Sequence, residues 1–156
     1  MTVAIDTNIL FDILLPDQKY LERSLTLLTQ YGKKHQLVIS EVIYSELASQ
    51  FADEELLQDF LNNTDIRLIN SGPEALWISS QAWKAYTNNR TKEFLCNTCG
   101  NMQTLKCEKC AALIIGRQYV ISDFLIGGHA LFHAGTLITR DGGYYQRYFP
   151  ELVIIS

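Results

Sequence analysis

The sequence predicts an α/β domain with a central, mainly parallel sheet and helices on both faces. Three observations carry that expectation: short, wholly apolar runs; helix-periodic stretches alternating with them; and polar turn residues at nearly every junction. Wholly apolar strands belong to sheets covered on both sides, and parallel strands need helical crossovers between them. Residues 90–116 break the alternation and read as an element inserted into one domain spanning 1–156.

Val3-Ala4-Ile5 reads as a buried strand that ends in Asp6-Thr7-Asn8 and feeds a short helix stopped by Pro16. Leu21, Leu25, Leu28 and Tyr31 recur at helical spacing up to Gly32. Leu37-Val38-Ile39 is a second strand, and Ser40 then caps a helix carrying Val42, Ile43, Glu46, Leu47 and Phe51. Glu54 to Leu61 is another helix, and Ile66 to Ile69 a third strand. Ser71-Gly72-Pro73-Glu74 opens a long helix with apolar faces from Leu76, Ile78, Ala82, Trp83 and Tyr86, closed by Asn88-Asn89-Arg90. Beyond the insert, Ser122 reads as the cap of a helix that starts at Asp123 and runs to Gly135. Thr136 to Thr139 is a fourth strand, ending at Arg140-Asp141-Gly142-Gly143; Tyr144 to Tyr148 makes one or two helical turns, and Leu152 to Ile155 closes as a strand.

Composition narrows the function classes. The 156 residues are 47% apolar and carry a net charge of −4, which excludes intrinsic disorder. No apolar run approaches the roughly 18–20 residues a bilayer span needs. Met1 to Asp6 has no basic stretch ahead of an apolar one, so no signal peptide is expected and the chain reads as cytoplasmic. The acidic balance argues against a protein that coats nucleic acid by bulk charge. Charge is uneven, however: Arg90, Lys92, Lys106, Lys109 and Arg117 outnumber Glu93 and Glu108 in and beside the insert.

Ligands of open parallel sheets sit beyond the carboxyl ends of the strands. Asp6 and Asp141 each follow a predicted strand, Asp123 opens a helix, and Glu46 lies within the first two turns of another, so four acids from separate parts of the chain can converge on that rim. Converging carboxylates repel one another unless protonated or held by cations. Hard divalent ions, Mg2+ or Mn2+, suit such oxygen donors, and such a site suits phosphodiester hydrolysis. No Gly-rich phosphate loop or Gly-x-Ser-x-Gly elbow competes with it. Taken singly, Asp6 also suits a turn or cap, and Glu46 and nearby Glu41 a solvated helix face; the combination carries the reading.

The four cysteines, Cys96, Cys99, Cys107 and Cys110, form two Cys-x2-Cys pairs with seven residues between them. In a reducing compartment that spacing points to a structural Zn2+ closed by four thiolates, whose binding would fold a stretch poor in apolar residues. Its basic residues could meet RNA phosphates, while dimer contact or docking of a partner protein fits equally well. His129 and His133 share a predicted helix face but lack the glutamate of a His-Glu-x-x-His metalloprotease site, so they read as structural. Trp77, Trp83 and Tyr86 read as core or dimer interface, whereas Tyr144, Tyr145 and Tyr148, near the last acid, suit either stacking on a base or packing, with packing the default.

Ile5-Asp6-Thr7-Asn8-Ile9-Leu10, Ser45-Glu46-Leu47, Ser122-Asp123-Phe124-Leu125-Ile126 and Leu137-Ile138-Thr139-Arg140-Asp141, followed by Tyr148-Phe149-Pro150 and a last strand, resemble a PIN domain, and within it the VapC-like toxins of toxin–antitoxin pairs. The resemblance implies a three-layer α/β/α fold and a Mg2+- or Mn2+-dependent ribonuclease. In it Asp6, Glu46, Asp123 and Asp141 form the catalytic acidic site, with Asp6, Asp123 and Asp141 as metal ligands and Asn8 or Thr139 orienting substrate or water. It also implies 5′-phosphate products, a homodimer and a silencing antitoxin. Two features depart from the pattern: Gly127-Gly128-His129 stands in place of an alanine-rich helix, and the cysteine insert is extra. A housekeeping RNA-processing nuclease and a non-catalytic zinc-containing RNA- or protein-binding module stay open beside the toxin. A haloacid-dehalogenase-type phosphohydrolase is disfavoured because position 8 is Asn rather than a second Asp.

Overall fold

A computed structural model of the chain describes residues 1–89, 93–95, 102–114 and 119–156. Its centre is a five-stranded, all-parallel sheet: β1 (Thr2–Ile5), β2 (Gln36–Ile39), β3 (Ile66–Leu68), β8 (Thr136–Ile138) and β9 (Val153–Ile155) lie in the order β3-β2-β1-β8-β9. Val3, Ala4 and Ile5 are all buried, as are Leu37, Val38 and Ile39, and then Leu137, Ile138 and Thr139. Successive strand residues point to opposite faces. Both faces of the three central strands are therefore covered, which is why these runs are apolar throughout. β3 lies at an edge, and there Arg67 and Leu68 are exposed.

Seven helices are present among the described residues: α1 (Thr7–Leu14), α2 (Leu21–Gly32), α3 (Glu41–Ala48), α4 (Glu54–Asn63), α5 (Pro73–Asn88), α6 (Ile121–His133) and α7 (Gly142–Tyr148). None is long and apolar enough to cross a membrane. Ser40 caps α3 as expected, its hydroxyl accepting from Ile43 N–H at 3.4 Å. The start of α6 differs. The helix begins at Ile121 with Val120 in the cap position, and Ser122 lies inside it. The reason is Asp123, at the third helical position, whose carboxylate reaches back to accept from Val120 N–H at 3.1 Å, the return half of a capping box that sets the cap at Val120.

Connections leaving β1 and β8 run to opposite sides of the sheet, to β2 and β9 respectively. Such a reversal opens a crevice beyond the carboxyl ends of the two strands. Asp6 N–H extends the ladder there by bonding Ile138 O at 2.9 Å, and Thr139 N–H bonds Ile155 O at 2.9 Å.

Between α5 and α6, β4 (Phe94–Leu95) pairs antiparallel with β5 (Met102–Gln103), and β6 (Leu105–Lys106) with β7 (Leu113–Ile114). Cys107 and Cys110 fall between β6 and β7, whereas Cys96 and Cys99 lie outside the described residues, as do Arg90, Lys92 and Arg117.

Aromatic residues join the segment that follows the insert to α5 and α6. Tyr119 N–H donates to Tyr86 Oη at 3.3 Å, and Phe124 packs on Trp83, Tyr86, Tyr144 and Tyr148 with ring centroids 5.1–5.5 Å apart. Tyr86 is thus a core residue, but Trp77, on the same helix, is 68% exposed and does not join the core.

Candidate active site

The crevice holds a cavity of about 710 Å3 whose walls include Asp6, Glu46, Asp123 and Asp141. Each arrives from a different element: Asp6 from the end of β1, Glu46 from α3, Asp123 from the first turn of α6, and Asp141 from just ahead of α7, three residues beyond β8. Glu41, five residues before Glu46, is turned elsewhere. Its carboxylate accepts from Ser71 N–H at 2.9 Å and from Ser71 Oγ at 3.1 Å, pinning the loop before α5. Burial pushes Glu41 up, and the Ser71 bonds, together with Glu41's own N–H and the nearby His129, outweigh that, leaving it below the usual carboxylate range.

A small network fixes the first and last acids. Thr139 Oγ1 donates to Asp6 Oδ2 at 2.6 Å and accepts from Asp141 N–H at 3.0 Å. Asn8 Nδ2 lies 2.8 Å from Asp6 Oδ2, 3.2 Å from Asp141 Oδ2 and 3.2 Å from Thr139 Oγ1, while its carbonyl oxygen accepts from Arg140 N–H at 3.3 Å. One amide group therefore sits between two carboxylates and softens their repulsion. Asp6 precedes α1 in the cap position yet makes no side-chain capping bond to that helix. Thr7 Oγ1 donates to Glu46 Oε2, holding the fourth acid at the same wall. Asn8 lines the cavity, whereas Thr139 is fully buried and off its wall.

Electrostatics follow from this crowding. Burial raises the Asp6 carboxyl to about 6, with the Asp141 and Glu46 charges pushing the same way and the Thr139 hydroxyl and Thr7 N–H opposing. Burial also raises Asp123, against the Val120 N–H bond, and Asp141 adds to the rise. Among the described residues no three His, Cys, Asp or Glu side chains close on one point as metal ligands do. Instead the carboxylates of Asp6, Glu46 and Asp123 each hold a hydrogen bond from a neighbouring donor.

The sequence reading missed Phe11, Tyr119 and Arg140 as walls of the cavity. Arg140 is the one basic side chain among the described lining residues, and its guanidinium is engaged: it lies 3.2 Å from buried Asp12 and 4.2 Å above the Tyr20 ring. Asp12 in turn accepts from Ser24 Oγ at 2.6 Å. His129 is buried, with Nε2 2.8 Å from Ile69 O and its ring 4.7 Å from that of His133, outside the cavity wall.

A family model described as PIN domain matches residues 3–150. Among curated proteins none matches the sequence. Among solved structures, the chain is similar to one in VapBC-1 from nontypeable Haemophilus influenzae, at 16% identity and TM-score 0.65, covering 100% of this chain and 98% of that one. It is similar to a chain of VapBC2 from Rickettsia felis bound to a DNA fragment from their promoter, at 19% identity and TM-score 0.62, over 99% and 98%. A chain of FitAB bound to an IR36 DNA fragment gives 14% identity and TM-score 0.56, over 98% and 93%. At such identities the likeness speaks for the fold alone.

Proposed function

The chain belongs to the PIN domain family, and from that premise we propose that it is a metal-dependent endoribonuclease acting as the toxin of a toxin–antitoxin pair. The observation that carries the reading is the convergence of Asp6, Glu46, Asp123 and Asp141, from four elements, on one cavity at the strand-end crevice. Their hard oxygen donors fit Mg2+ or Mn2+. The raised Asp6 carboxyl fits as well, since a cation relieves the repulsion and burial that raise it. Asp6, Asp123 and Asp141 would hold the ion, with Glu46 as the fourth acid of the site. When bound, a divalent cation neutralises phosphate charge and acidifies an attacking water.

The chain's own residues do the positioning. Thr139 and Asn8 keep the Asp6 and Asp141 carboxylates in register, and Thr7 steadies Glu46. Asn8 is the member of this pair that can touch substrate or water, because Thr139 lies buried off the wall. Asp6 must release its proton at Oδ to act, so binding of the ion strengthens as pH rises through about 6. Hydrolysis leaves 5′-phosphate and 3′-hydroxyl ends.

The similar structures are VapBC and FitAB assemblies, which supports a cognate antitoxin as partner; a homodimer and a cytoplasmic location complete the reading. Purified protein incubated with total RNA and Mg2+ or Mn2+ should cleave it, EDTA should stop cleavage, and mapped ends should carry 5′-phosphates. EDTA-resistant cleavage, or none with either ion, rejects the assignment.

We further propose that the insert over 90–116 is a zinc-ribbon-like element in which Cys96, Cys99, Cys107 and Cys110 hold a structural Zn2+. Each Cys-x2-Cys falls between the two strands of one antiparallel pair, β4 with β5 and β6 with β7. Cys107 suits a thiolate ligand: the backbone N–H groups of Cys110 and Lys109 lower its thiol, and Ala111 N–H closes the turn on Cys107 O at 2.8 Å. Purified protein is expected to contain about one zinc per chain. Cys107→Ser should lose most of it by elemental analysis, and full retention would exclude the site.

A further inference from the structure

The cavity poses a problem for any polyanion. Four of its walls are carboxylates, and the one basic side chain among its described lining residues, Arg140, is held by Asp12 and Tyr20. A cation can offset the charge at the reacting phosphate, but among the described lining residues no free basic side chain holds the rest of a strand. Beside Thr7, Asn8 and Gly143, the remaining described wall is aromatic and apolar: Phe11, Tyr119, Ile126, Tyr144 and Tyr145.

Two features of that wall point to a ligand. Tyr119 is half-buried and already braced, with its ring 4.6 Å from Tyr144 and 5.6 Å from Tyr86 and its N–H on Tyr86 Oη, so a planar ligand meets it with little ordering left to do. Tyr144 is 9% exposed, and its buried hydroxyl has no hydrogen-bond partner. An unpartnered buried hydroxyl is unfavourable, and because Tyr144 lines the cavity, a ligand edge that reaches this hydroxyl would supply the missing partner. The hydroxyl stays protonated, because burial and the nearby Asp123 charge push its ionisation far upward, so it can donate.

We propose that Tyr119 is the stacking surface for one unpaired nucleobase beside the carboxylates, with the Tyr144 hydroxyl meeting the polar edge of that base. Stacking is indifferent to the acidic field that repels the backbone, and it requires a base free of a duplex. The strand is therefore held at this wall by a base rather than by its phosphates. This rests on the nuclease reading above and specifies how that site selects its strand.

The test uses a fluorescein-labelled single-stranded hexaribonucleotide and versions of it with one abasic nucleotide moved through the sequence. Anisotropy is read with Ca2+ in place of Mg2+, and the RNA is checked to be intact on a gel. One abasic position should weaken binding to the wild-type protein roughly tenfold, about the loss of one base–aromatic stack. Tyr119→Leu should bind the base-bearing RNA as weakly as wild type binds that abasic one, and Tyr119→Phe should restore it. Tyr144→Phe should keep affinity but flatten the preference among the four bases at that position.

Equal binding of abasic and base-bearing RNA by wild type overturns the proposal, and this arm needs no variant to fold. Undiminished binding by Tyr119→Leu, or duplex RNA bound as tightly as single-stranded, also overturns it. Base-dependent binding without EDTA-sensitive cleavage upholds the stacking surface and rejects the nuclease. Cleavage with base-independent binding does the reverse.

Discussion

Asp6→Asn should abolish RNA cleavage and at the same time stabilise the metal-free protein. The loss should be about a thousandfold or more, because members of a catalytic set that act together are not partly replaceable. The gain follows from the same side chain. Its carboxyl is raised in the folded state from 3.8 to about 6. A raised acid binds its proton more tightly when folded, so its effect is neutral below about pH 4, a stability penalty grows between about pH 4 and 6, and it is nearly complete above that. The penalty at pH 7.5 is of order 3 kcal/mol, a magnitude set by burial.

Asparagine keeps an oxygen to accept from Thr139 and Asn8 but carries no charge to bury. Urea unfolding in EDTA should therefore show the variant ahead of wild type at pH 7.5 by about 2 kcal/mol, with the difference gone near pH 4. Saturating Mg2+ or Mn2+ should narrow the gap by stabilising wild type alone. Equal cleavage by both proteins would remove Asp6 from the chemistry. A variant less stable than wild type at every pH would show that its carboxylate serves the fold.

Gly128→Ala is the substitution expected to damage the fold most. A Cβ at Gly128 would lie 2.0 Å from Ser79 Oγ, 2.7 Å from Ala75 O and 2.8 Å from Ser79 N, and two of those atoms are backbone. Ser79 Oγ is itself committed to Ala75 O at 2.9 Å. Helices α5 and α6 would have to separate, and α6 carries both Asp123 and the core residue Phe124. Overpacking of this kind costs about 3 kcal/mol, more than the ~1 kcal/mol that alanine gains over glycine inside a helix. Gly143→Ala is the matched control, because a Cβ there meets nothing within 4 Å. A urea midpoint for Gly128→Ala at or above that of wild type would refute the packing argument.

The adjacent pair Gly127-Gly128 shows where reading the chain stops. In the sequence it is visible only as a departure from an alanine-rich helix. The atoms that demand it, the Phe149 ring at 2.2 Å from a Cβ on Gly127 and the Ser79 and Ala75 atoms facing Gly128, come from distant segments. Asp6, Asp123 and Asp141 were legible because strand ends and helix starts share one edge of a parallel sheet, a rule that needs no distances. Glu46 and Glu41 were not separable that way. Five residues turn a helix by about 140°, so one can face the cavity only if the other does not, and the choice fell to Ser71, which holds Glu41. Ser122 misled because a serine before an acid looks like a cap, while Asp123 reaches back one turn to the Val120 N–H and so sets the helix start there. Tyr119 carried no signal at all: it follows the insert, outside any periodic stretch, and gains its place through Tyr86, Tyr144 and Tyr148.

The bond from Tyr119 N–H to Tyr86 Oη has a consequence for how the chain tolerates change. It fastens the return of the polypeptide to the last turn of α5, two residues before that helix ends at Asn88. Whatever lies between is closed off at its base like a bead on a loop of thread, and the entropy of closing a loop rises only slowly with its length. The clasp makes this point of the domain a natural graft site, where modules can be exchanged over generations while α6 and Asp123 keep their seat.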